Sequence, residues 1–148
     1  MNCFYRLVLC SVIMFGIHAC DGVNAEQTGQ LLDALKTIMQ ESNNAALREA
    51  QEKAALYDGS CSEKEAVSAV LRAVEKAAHA YMPGIMVAMK NLGDIGSGLR
   101  VEFKNIRSDL FVSENIATVE QAIQNLESHN EQVLQIIEQV KADLEQTS

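Results

Sequence analysis

The feature that most constrains this chain is an apolar stripe near its C-terminus. Ile116, Val119, Ile123, Leu126, Asn130, Val133, Ile137, Val140 and Leu144 follow one another at alternating steps of three and four. That spacing places every one of these positions on one face of an α-helix. A strand, whose faces alternate every two residues, cannot collect them. About four heptads run without a slip, and at roughly 1.5 Å per residue such a helix reaches on the order of 50 Å. The only polar member of the stripe is Asn130. An amide at such a position can fix the register or oligomeric state of paired helices, which makes Asn130 a candidate register-setting residue.

Three further segments share the periodicity. Residues 26–57 begin with Leu31, Leu35 and Ile38, with Leu32 and Met39 beside them. After Ser42, Asn43 and Asn44 the stripe turns to Ala45, Ala46, Ala50, Ala54 and Ala55. Alanine favours helix but buries little. Gly59 is the expected stop. Ser62 and Glu65 then have the spacing of a capping box, followed by Val67, Val70, Val74, Ala77 and Tyr81. Pro83 ends that segment, because the residue before a proline is pushed out of the α region. It also suits the first turn of the next helix, whose stripe is Ile85, Met89, Leu92, Gly96, Leu99, Phe103, Ile106 and Leu110. Ser113 is the expected N-cap of the last helix. One proline, no tryptophan and 5% aromatics argue against a β-sandwich or barrel. Short links make successive helices antiparallel neighbours. The expected fold is therefore all-α: an antiparallel up-down bundle of about four helices, the last two forming a long coiled-coil-like hairpin.

Residues 1–25 read as a secretory signal peptide, and residues 26–148 as a single helical domain. Arg6 precedes an apolar run over residues 7–19, and Val23, Asn24 and Ala25 form a small-residue cleavage site. The run is too short to span a bilayer comfortably. The expected localisation is secreted and extracellular. Cleavage after Ala25 removes Cys3, Cys10 and Cys20 and leaves Cys61 as the sole cysteine, a candidate for an intermolecular disulfide or a free thiol. Cleavage after Ala19 retains Cys20, which can then pair with Cys61. A lipoprotein reading with Cys20 lipidated is disfavoured by His18 two residues before it. No Asn-x-Ser/Thr triplet occurs, so secretion does not imply N-glycosylation here.

The formal net charge is -8, from 12 Lys+Arg and 20 Asp+Glu. Arg6 and Asp21 leave with the signal and cancel, so the surplus belongs to the mature surface. It disfavours nucleic acid and anionic membranes as main partners. No stable membrane insertion is expected once the signal is cleaved.

Residue constellations are sparse. Gly93, Gly96 and Gly98 resemble a phosphate loop only superficially, since no strand precedes them. Three glycines in six residues cost roughly 2–3 kcal/mol of helix propensity, which makes them a candidate helix distortion or cavity lip. Tyr81, Met82, Met86 and Met89 form a candidate apolar contact cluster, because methionine adapts to varied partners. His79 and His129 lack metal-binding spacing. The acidic side chains read as a solvated face, and no hydroxyl nucleophile has a partnered base. No metal, cofactor or catalytic residue is expected, and the chain is not read as an enzyme.

The function expected on these grounds is non-enzymatic binding of another extracellular protein, of an interaction or effector type that includes host-directed effectors. One alternative is a carrier of a small hydrophobic ligand such as a lipid. The other is a self-assembling structural protein, a homodimer at its simplest.

Overall fold

The computed structural model describes residues 24–112 and 115–147. The signal segment, with Cys3, Cys10 and Cys20, and the expected cap Ser113 lie outside them. The described residues are all-helical and contain no strand. Among the described residues there are five helices: α1 (Ala25–Ala55), α2 (Glu63–His79), α3 (Met82–Asn91), α4 (Asp94–Leu110) and α5 (Val119–Thr147). None is long and apolar enough to cross a membrane.

The helix boundaries follow local chemistry. The Asn24 side chain accepts from the Gln27 amide at 2.8 Å, satisfying one of the donors orphaned at a helix start. Of the two expected cleavage points, only the one after Ala19 keeps this cap. α1 ends at Ala55, and Gly59, at φ +80°, sits in the turn beyond it. The Ser62–Glu65 capping box is present at α2. Ser62 Oγ accepts from the Glu65 amide at 3.3 Å, and Glu65 Oε2 accepts from the Ser62 amide at 2.9 Å. At α5 the Thr118 hydroxyl accepts from the Gln121 amide, while Glu63, on α2, accepts from the Val119 amide at 2.8 Å. A carboxylate is well placed at a positive helix terminus, and this one joins α2 to the start of α5.

The helix expected over residues 83–110 is two helices. Ala80 (φ -61°, ψ -28°) and Tyr81 (φ -93°, ψ -10°) both stay right-handed, so the backbone passes Pro83 with little change of conformation. Both α2 and α3 pack on α1. The sharp change comes at Gly93 (φ 58°, ψ -125°), where a side chain would be strained. α4 then packs against α3. Gly96 lies against the Met89 carbonyl, and eleven residues further on Arg107 reaches Glu75 at 3.9 Å.

α5 lies chiefly along α1 and only secondarily along α4. The reason is length: α4 has 17 residues, whereas α5 and α1 have 29 and 31. The expected pairing of the last two helices exists, but the full-length partner of α5 is the first helix. Lys141 meets Asp33 at 2.7 Å and Lys36 meets Glu138 at 2.6 Å. The partner number falls on α5 as it rises on α1, so these two helices run antiparallel.

The core has two parts. One gathers Leu32, Leu35, Ile85, Leu99, Ile137 and Val140 between α1, α3, α4 and α5. The other gathers Ala46, Ala50, Val67, Val70, Ile116 and Leu126 between α1, α2 and the start of α5. The alanines of α1 let α2 approach closely, and Ala122 is fully buried where the stripe places Ile123, which is only half-buried. A fully buried Leu or Ile stabilises by about 1.5–3 kcal/mol.

A Cβ added at Gly96 would collide with the Met89 carbonyl, whereas one added at Gly29 meets nothing within 4 Å. Gly96→Ala is expected to lower stability by about 2–3 kcal/mol through overpacking against backbone. Gly29→Ala is expected to raise it by about 0.5–1 kcal/mol through helix propensity. Urea midpoints of the two variants check both signs.

Candidate functional site

Between the two core clusters lies a polar seam. On α1 the apolar positions stop at Met39 and resume at Ala46, and on α5 they stop at Leu126 and resume at Val133. In the gap, Asn43 Nδ2 donates to the Asn130 carbonyl at 3.5 Å, and Asn130 Nδ2 donates to the Asn43 carbonyl at 3.3 Å. A helical carbonyl has a second lone pair free for such a bond. Asn43 is buried and Asn130 half-buried. The sequence singled out Asn130, but Asn43 was legible only as part of the polar break at 42–44, because its partner lies 87 residues away.

His129 stands next to this pair. Its Nδ1 is 3.3 Å from Asn130 Oδ1, and its ring packs edge-on to Phe111 with centroids 5.6 Å apart. Burial pushes the imidazole pKa down, the hydrogen bond to Asn130 opposes that shift, and the Arg107 charge adds to it.

A groove of about 540 Å³ opens over the seam between α1 and α5. Asn43 and Asn130 line it, Leu47 and Leu134 add apolar surface, and Glu41, Glu127 and Glu131 add carboxylates. A second groove of about 390 Å³ lies at the other end of the same helix pair, beside Asp33 and Lys141.

The remaining candidates are dispersed. Cys61 is an exposed free thiol in the α1–α2 loop. Nearby, a hydrogen bond to Glu63 raises the Tyr57 phenol pKa. Gly93 makes the turn before α4, Gly96 makes the close contact with α3, and Gly98 is half-buried within α4. The methionine cluster is divided. Met89 is buried, Tyr81 packs against the core edge, and Met82 and Met86 are 39% and 41% exposed beside Val87 at 60%. His79 is exposed. Among the described residues no three His, Cys, Asp or Glu side chains are grouped to hold a metal ion. Comparison with protein-family models, curated proteins and solved structures finds no match to this chain.

The lowered pKa of His129 has a definite sign. Its folded value lies below its unfolded one, so protons bind the unfolded chain more readily. The stability concerned is present above the ordinary histidine value of 6.5 and is lost as pH falls below it. Asp58 and Glu65, held low by hydrogen bonds from Ser60 and Ser62, act in a lower window. Stability measured by urea unfolding is expected to fall between about pH 7 and pH 5, and His129→Gln to flatten that fall.

Proposed function

We propose that this is a secreted, non-enzymatic protein that binds another extracellular protein through the α1–α5 groove. Its scaffold is read as an up-down-up-down bundle in which α2 and α3 share the second leg. The observation that carries the reading is the chemistry of the groove. Carboxylates of Glu41, Glu127 and Glu131 surround a floor of backbone-bonded asparagines, with Leu47 and Leu134 as apolar footholds. Pockets for apolar small molecules are lined mainly by hydrophobic side chains. An open groove with acidic side chains instead complements a partner segment bearing Lys or Arg beside one or two apolar residues. This favours a protein partner over the lipid-carrier alternative. The net charge of -8 would steer such a partner in.

The test is Glu127→Lys combined with Glu131→Lys. Both side chains are exposed, so the thermal midpoint is expected to stay within about 2 °C. Capture of the partner from the native extracellular fluid is expected to fall at least tenfold, because like charges then face each other. A partner retained at wild-type level by this variant would overturn the groove assignment.

A further inference from the structure

The chain is acidic overall, but its charge is unevenly placed. Residues 72–107 hold Arg72, Lys76, Lys90, Arg100, Lys104 and Arg107, half of the chain's 12 Lys and Arg, against only Glu75, Asp94 and Glu102. All six cations are exposed. They lie in stripes. Arg72, Lys76 and His79 share one face of α2, and the same three-four spacing continues through Pro83, Met86 and Lys90 on α3, every one of them exposed. Arg100, Lys104 and Arg107 share one face of α4. The Gly96–Met89 contact sets α4 against α3, and the exposed side chains of Arg107 and Glu75 on α4 and α2 come within 3.9 Å.

Lys36 and Lys141 are bound to carboxylates across the α1–α5 contact at 2.6 and 2.7 Å. Lys76, Lys90, Arg100 and Lys104 make no ion pair within 4 Å among the described residues. Near these cations α3 exposes Met82, Met86 and Val87, and Val101 on α4 is 57% exposed. The two grooves described above are lined by α1 and α5.

We propose that the α2–α3–α4 face docks peripherally on an anionic lipid surface. Cations contact the headgroups, and the side chains of Met82, Met86 and Val87 enter the interfacial layer. Unbranched methionines adapt to a fluid surface, and no shaped counterpart is needed. The acidic remainder, concentrated on α1 and α5, is repelled and holds the groove towards solvent. The face is separate from the protein-binding groove, and neither reading depends on the other.

The test uses full-length mature protein and sedimentation with phosphatidylcholine vesicles containing about one-third phosphatidylserine, against phosphatidylcholine alone. Binding is expected only to the anionic vesicles and is expected to weaken with salt. Lys90→Glu with Lys104→Glu is expected to lower partitioning at least about tenfold, since each basic residue near the surface contributes roughly fivefold. Met86→Ser is expected to lower it several-fold. Arg48→Glu with Lys53→Glu makes the same charge change on α1 and is expected to stay within about twofold of wild type. Equal binding to neutral vesicles, or equal loss in the α1 control, would overturn the proposal. So would absent vesicle binding combined with self-association that Lys90→Glu/Lys104→Glu abolishes, which would assign the face to a second copy of the chain.

Discussion

The reciprocal bridge between Asn43 and Asn130 is the polar interaction that ties the two long helices together where the two core clusters meet. Each side chain donates to the other's backbone carbonyl, so both amides are satisfied at one alignment only. A slip of α5 along α1 would press an amide against the leucines and valines on either side. A buried polar group left unpaired costs about 1–3 kcal/mol. The flanking pairs, Lys36–Glu138 and Lys141–Asp33, have half-exposed partners, and such pairs contribute about 0–1 kcal/mol each. On these magnitudes loss of the asparagine bridge would cost more than loss of either ion pair. Apolar packing supplies most of the stability but fixes alignment poorly, because a heptad stripe can slide by one repeat and bury similar surface.

The second constraint is the glycine pair at the corner between α3 and α4. Gly93 takes a positive φ and Gly96 admits the Met89 carbonyl. Together they turn the chain within two residues and lay α4 against α3. This leaves α4 short, which is why α5 turns to α1 for a partner along its length. The same corner leaves one side of α3 without a covering helix, so Met82, Met86 and Val87 reach the surface. The two faces of the molecule thus have separate physical origins. The acidic groove follows the polar seam, and the cationic apolar face follows the glycine corner.

Much of the fold was legible in the sequence where the signal is local or periodic. The stripe of α5, the Ser62–Glu65 box and the all-helical class rest on neighbours within a few residues. Pro83 stands in the first turn of α3 and the glycine cluster marks a break at Gly93, both as the local signals imply. Proline removes only a hydrogen bond that a first turn lacks anyway, so the backbone stays right-handed from Ala80 into α3, and the sharp change comes at the positive φ of Gly93. Long-range partners were illegible in principle. Asn43 finds Asn130, and Glu63 caps α5 at Val119 across 56 residues, and neither pairing leaves a trace in local spacing. The methionines read as one cluster because spacing shows which side chains share a helix face. It does not show whether another helix covers that face, and Met89 proved covered while Met82 and Met86 did not.

If Asn43 and Asn130 act as one unit across the α1–α5 contact, substitutions at the two sites are coupled. A double-mutant cycle with Asn43→Ala, Asn130→Ala and the pair, read by urea unfolding, tests it most directly. The expected coupling between the two sites is about 1 kcal/mol or more. Additive losses, agreeing within about 0.3 kcal/mol, would contradict it.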